Sequence, residues 1–197
     1  MKNYFIGYLI YIGCVLISYI FGKRTGVFKK FPVLALICIP TDNFILMASL
    51  GFCVIAAYMD IEDNMNVYDI YHIIPVIIIS GGIIYKVINK NFYIRETLSF
   101  YNLVPIIFTI LTITTRGFAD TLALLVYSLL GIYLKIDALY IIMGFTLSYF
   151  IQFIKQCIIC KKKDISLKNK EPNAFLPSLY IGNSIVIISS YLSTRGW

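Results

Sequence analysis

Seven long apolar runs, separated by short polar segments, leave this chain few ways to fold. They cover roughly residues 4–22, 31–59, 70–88, 99–115, 118–135, 138–156 and 176–193. A helix that crosses a bilayer needs about 20 apolar residues, and most of these runs are near that length. They are continuously apolar instead of alternating, which predicts helices and not the strands of a barrel. The expected fold is therefore all-α, a polytopic transmembrane bundle of about six to seven helices. It should form a single domain over residues 1–197, with no room for a soluble domain of ordinary size.

The first run has no small-residue cleavage site before the basic Gly22-Lys23-Arg24 segment, so it reads as a retained helix and not a removed signal peptide. The second run is interrupted by Pro40-Thr41-Asp42-Asn43. It predicts either one tilted helix or a membrane dip or short crossing followed by a helix from about Phe44. Residues 1–43 are thus an N-terminal helix with a dip or short helix, and residues 44–193 are the core.

Charge fixes an expected orientation. The chain is 59% hydrophobic and carries 17 Lys and Arg against 10 Asp and Glu, a net charge of +7. The basic residues collect between the apolar runs, where they orient helices through the positive-inside rule, so the partner implied is the lipid bilayer and not nucleic acid. The 155–170 stretch holds Lys155, Lys161, Lys162, Lys163, Lys168 and Lys170 against Asp164 alone, which places it on the cytoplasmic side. Counting back through the runs puts the 116–120 junction and the 60–69 loop on that same side. Lys23, Arg24, Lys29 and Lys30 favour it too, which requires a re-entrant dip or two short crossings within 31–59 and Met1 outside. The expected location is the cell membrane, crossed many times.

Other chemistry is sparse. Cys14, Cys38 and Cys53 lie inside apolar runs and read as small core residues. Cys157 and Cys160 form one Cys-x-x-Cys, which cannot complete a four-ligand zinc site, and no His lies near it in sequence. His72, the only histidine, reads as a satisfied interfacial side chain. Neither a metal nor a cofactor is implied.

Two aspartates stand out. Asp60 closes an apolar run in Ala56-Ala57-Tyr58-Met59-Asp60-Ile61-Glu62, and Asp120 opens one in Arg116-Gly117-Phe118-Ala119-Asp120-Thr121. An ionisable group at membrane depth is costly and marks a functional site by default. Two carboxyls at one membrane face suit aspartic proteolysis: an ionised one activates water while a protonated one donates to the scissile carbonyl. Among the other acidic groups, Glu62, Asp63 and Asp69 read as a solvated face, and Asp42 and Asp137 lie at other helix ends. Asp120 alone would serve equally as a helix cap. Its pairing with Asp60 favours catalysis.

At these residues the chain resembles the type IV prepilin peptidases and archaeal preflagellin peptidases, membrane aspartyl proteases of the Gly-x-Gly-Asp type. The stretch Asp60-Ile61-Glu62-Asp63-Asn64-Met65-Asn66-Val67-Tyr68-Asp69 is similar to the family's first Asp and the polar segment after it. Gly117-Phe118-Ala119-Asp120 is similar to its second motif, with Ala119 replacing a glycine. Phe175-Leu176-Pro177-Ser178-Leu179-Tyr180-Ile181-Gly182 is similar to the opening of its last helix, with Pro177 and Gly182 at the motif positions. The resemblance covers roughly residues 44–193. It implies a divergent, cofactor-free aspartic endopeptidase that removes the leader from prepilin-like or archaellin-like substrates, with Asp60 and Asp120 catalytic. Leu122 stands where the family often has Lys. Residues 23–30 are too short for the cysteine-rich insertion of methylating members, so no methyltransferase activity is expected. The rival readings are an inactive or substrate-divergent member, a small transporter or channel component using the aspartates as an ion pathway, and a structural subunit of a membrane complex.

Overall fold

The computed structural model describes residues 2–24, 26, 28, 31–62, 69–89, 100–112, 118–163 and 174–193. Among them are seven α-helices, one short 3-10 turn and no strand. The helices are α1 (Lys2–Arg24), α2 (Phe44–Glu62), α3 (Ile70–Ile88), α4 (Phe100–Leu111), α5 (Phe118–Leu134), α6 (Ala138–Lys163) and α7 (Leu176–Ser193). The 3-10 turn, Val33–Leu36, precedes α2. Helices α1, α2, α3 and α6 are long and apolar enough to cross a membrane, and α5 is a shorter apolar helix. The protein is an all-helical bundle built to sit in a membrane.

The helix at the centre is α2. Every residue from Leu46 to Ala57 is buried, followed by Met59 and Asp60. A helix apolar all round must be enclosed, and α1, α3 and α7 pack around it. The outer helices instead present large apolar side chains outward, among them Phe5, Leu9 and Phe21 on α1, Ile77 and Ile84 on α3, and Phe150 and Phe153 on α6. A soluble protein would bury such side chains; a lipid-facing wall displays them.

Contacts fix the direction of each helix. At one end, called the far end, Gly82 of α3 lies against Ile45 at the start of α2 and Tyr133 at the end of α5. There Lys86 donates to the Tyr133 carbonyl at 2.8 Å and sits 3.8 Å from its ring centroid. Gly131 lies against Ile141, and the Tyr191 hydroxyl donates to Asp42 at 2.8 Å. At the near end, the Tyr71 hydroxyl donates to the Ser18 carbonyl at 3.1 Å, and Lys155 donates to the Ala174 carbonyl at 2.8 Å. Thus α1, α2 and α6 run from far to near, whereas α3, α5 and α7 run back.

Local chemistry explains the turns. Lys135, at φ 57°, closes α5, with Ile136 N–H bonded to the Gly131 carbonyl and Lys135 N–H to that of Ile132, a Schellman-type ending. Asp137 then caps α6 by accepting the Leu139 amide at 2.8 Å. Helices α6 and α7 approach closely because Gly182 lacks a side chain: a Cβ there would stand 2.7 Å from the Ser148 nitrogen.

The run over 31–59 is not one helix. Residues 31–43 travel back along α1 from the near end to the far end, and α2 starts at Phe44. Phe28 lies against Gly22, Tyr11 donates to the Ala35 carbonyl at 2.7 Å, Tyr8 donates to the Leu36 carbonyl at 3.1 Å, and the Thr41 carbonyl lies against Gly7. Non-helical backbone in an apolar setting needs partners for its polar groups. Two α1 tyrosines and the Ala35 N–H to Pro32 bond at 2.8 Å supply several of them. Pro32 and Pro40 carry no N–H to satisfy.

Candidate active site

Asp60 lies two residues before the end of α2 and is only 5% exposed. Its Oδ2 accepts the Leu176 amide at 2.8 Å, and the Phe175 amide also reaches it. The Lys155 ammonium is near enough for its charge to act on the carboxylate, while bonding the carbonyl of Ala174. Residues 174–176, which open α7, are therefore held from two directions. A helix N-terminus presents unsatisfied N–H groups and partial positive charge. Asp60 thus caps α7 from across the bundle, a role the sequence suggested for Asp120 instead.

Asp120 is the third residue of α5, half-buried in its first turn and engaged in polar contacts of its own. Phe118 before it is exposed and Ala119 half-buried, while Gly117 lies outside the described residues. The relation between the two aspartates follows from a contact deeper in the bundle. The side chains of Cys53 on α2 and Tyr127 on α5 lie close enough to act on each other. Seven residues are two helical turns that return to the same face within about 20°. Asp60 follows Cys53 by seven residues, and Asp120 precedes Tyr127 by seven. Because α2 and α5 are antiparallel, both steps lead toward the near end by about 10 Å. Both carboxyls therefore lie toward the near end, on the sides of α2 and α5 that carry Cys53 and Tyr127. The hydrogen bond of Asp60 goes to Leu176 and not to Asp120.

Pro177, half-buried, stands in the first turn of α7 directly after the amide that binds Asp60. Gly182 is buried against Ser148 and sets the α6–α7 spacing. The remaining acidic groups are elsewhere or engaged otherwise. Asp42 and Asp137 lie at the far end with Tyr191 and Leu139 as partners, and Glu62 is exposed. Asp63 and the Val67-Tyr68 part of the motif lie outside the described residues, as do Lys29, Lys30 and the loop from Asp164 to Asn173. All five cysteines are free thiols, with Cys160 buried beside Gln156.

Three groups at this end escaped the sequence reading. Lys155 was counted with the loop lysines, though its setting in Phe153-Ile154-Lys155-Gln156 is apolar and an intramembrane cation is itself a signal. The Leu176 amide is 116 positions from Asp60, and nothing in sequence joins them. His72, at the start of α3, is 1% exposed, and its Nδ1 has no hydrogen-bond partner among the described residues. Comparison of the chain with protein-family models, with curated proteins and with solved structures finds no match.

Proposed function

We propose that this protein is a membrane-embedded aspartic endopeptidase of the prepilin-peptidase kind, with Asp60 and Asp120 as its catalytic pair. The observation that supports the reading is that both carboxyls lie toward the same end of the bundle, each two turns from the approach of Cys53 to Tyr127. One carboxyl takes a proton from water as that water attacks the scissile carbonyl. The other gives a proton to the carbonyl oxygen and later to the departing amine. The near end, with Lys23, Arg24 and Lys161–Lys163 in the last turns of α1 and α6, is the cytoplasmic one by the positive-inside rule. The substrate is a prepilin-like or archaellin-like chain with a short basic leader before an apolar helix. That helix lies among the protease helices and leaves the leader junction extended beside the carboxyls.

A second reading has its own observation: Asp60 caps α7, which is a sufficient structural reason for a buried carboxylate. The test separates the two, because Asn retains a side-chain oxygen that accepts an amide and is itself a good cap. Asp60→Asn and Asp120→Asn are each expressed with a prepilin-like substrate, and leader removal is followed by mobility on gels. Loss of cleavage in both, at unchanged protein level and melting temperature, supports the protease. Normal cleavage in either leaves Asp60 as a cap alone.

A further inference from the structure

The turn from α5 into α6 carries opposite charges two residues apart, Lys135 and Asp137 in Leu134-Lys135-Ile136-Asp137. Both line a cleft of about 400 Å³ at the far end, walled by the start of α6 and the last turns of α7. Ligand pockets run from about 300 to 1,000 Å³, so this one has room for a small polar group and the start of its tail. The lining grades from charged and hydroxylic to apolar: Lys135, Asp137, Tyr140 and Ser193, then Met143 and Ile185.

Helix register sets the depths. Gly144 of α6 lies against Asn183 of α7, and the two helices are antiparallel. Asp137, seven residues before Gly144, therefore stands level with residue 190, and Met143 stands level with residue 184. Lys135, Asp137 and Ser193 form the rim. Met143 lies about 9 Å deeper than Asp137, and Ile185 about 12 Å deeper than Ser193. The polar layer of a bilayer is about 5–8 Å thick on each side, so the rim lies among headgroups and the floor among acyl chains. Tyr140, Met143 and Ile185 are each about half exposed, which opens the cleft sideways to lipid.

Charge selects the occupant. The Lys135 ammonium suits a phosphate. Asp137 accepts the Leu139 amide through Oδ1 at 2.8 Å, and a carboxylate has lone pairs for further donors. A carboxylate beside that phosphate repels a headgroup that is only negative and attracts one that also carries a cation. A primary ammonium can donate to Asp137 and to the hydroxyl oxygens of Tyr140 and Ser193, whereas a quaternary one has no N–H to donate. The tails then continue over Met143 and Ile185 along the lipid-facing wall.

We infer that this cleft binds a phospholipid whose headgroup carries a phosphate and a primary ammonium, of the ethanolamine type, with the phosphate on Lys135 and the ammonium on Asp137. The site stands at the opposite end of the bundle from Asp60 and Asp120 and does not depend on leader cleavage.

The test equilibrates the full chain in detergent with ethanolamine, choline and glycerol phospholipids of identical acyl chains, and native mass spectrometry counts the lipid retained. The ethanolamine lipid should be retained about tenfold over either of the others, the worth of one charge-assisted hydrogen bond. Asp137→Asn keeps the cap on α6, because Asn still accepts the Leu139 amide, and should bring that preference down to within about twofold. Lys135→Asn suits the left-handed backbone at φ 57° and should lower retention of the ethanolamine lipid about tenfold. Met143→Trp fills the floor and should displace the lipid with both charges in place. Melting temperatures of the lipid-free variants check that each is folded. Equal retention of the three lipids would mean a non-selective boundary lipid only and would overturn the inference. Tighter binding of the glycerol lipid, or an ethanolamine preference that survives Asp137→Asn, would overturn it as well. So would a dimer of the chain appearing in place of a lipid adduct, since a second copy would then occupy the cleft.

Discussion

The two ends of the bundle treat charge differently. At the far end three charged groups make exposed or half-buried bonds: Asp137 caps the helix it precedes, Lys86 bonds the last turn of α5, and Asp42 takes a tyrosine hydroxyl. These are ways of finishing helices where water is at hand. At the near end a buried carboxylate reaches from α2 to the start of α7, beside a lysine from α6. Such an arrangement is a costly way to end a helix. On the proposed reading, the near end is built for chemistry and the far end for closure.

The largest test of that contrast is kinetic. Asp60→Asn or Asp120→Asn should lower the rate of leader removal by roughly 10²- to 10⁴-fold, the contribution of a positioned acid or base. Asp42→Asn, at the other end, should leave it within a factor of about two, since changes away from special features stay within roughly 0.5 kcal/mol. Timed cleavage of a co-expressed substrate measures both. Equal losses at the two ends would erase the distinction.

Next in size is stability. Asp60→Leu removes the oxygen that accepts the buried Leu176 amide, and leaving that donor unmade costs about 1–3 kcal/mol. Asp60→Asn should cost much less, since its oxygen still accepts. Lys155→Met takes the other hold on residues 174–176, at Ala174. Because both grip one short segment, the double variant should depart from additivity by about 0.5 kcal/mol or more in a melting cycle. Strict additivity would mean that the two contacts act independently.

The sequence made some of this legible and not the rest, for physical reasons. Helices over 70–88, 118–135 and 176–193 follow from apolar runs whose ends carry their own punctuation, such as Asp69, Lys135 and Pro177. The break at Pro40-Thr41-Asp42-Asn43 was visible as well. The route of residues 31–43 along α1 was not, because it depends on hydroxyls of Tyr8 and Tyr11 reaching carbonyls 28 and 24 positions away. The 138–156 run ends at 156 by hydropathy, yet α6 continues to Lys163, since lysines extend a helix past its apolar part without penalty when their stems lie along it. At the site, the aspartates were legible as expensive charges, whereas their surroundings were not. A capping amide carries no residue signature, and a lone histidine reads the same whether its nitrogen is satisfied or bare.

The smallest effect gives the cleanest control. Tyr191→Phe deletes the hydroxyl that donates to Asp42 at 2.8 Å and changes little else in shape. A typical hydrogen bond contributes about 0.5–1.5 kcal/mol, and half-buried Asp42 can turn to water for compensation, so the loss should fall at the low end. Its position decides its use. Tyr191 is near the end of α7 that Asp60 does not touch, about 22 Å along the helix from Leu176. Sites that far apart with no shared partner add to within about 0.3–0.5 kcal/mol. Tyr191→Phe combined with Asp60→Leu should therefore melt as the sum of the two, while Lys155→Met with Asp60→Leu should not. Coupling between Tyr191 and Asp60 as large as that between Lys155 and Asp60 would show that α7 responds as one rigid rod, and the near end would lose its claim to be a separately organised site.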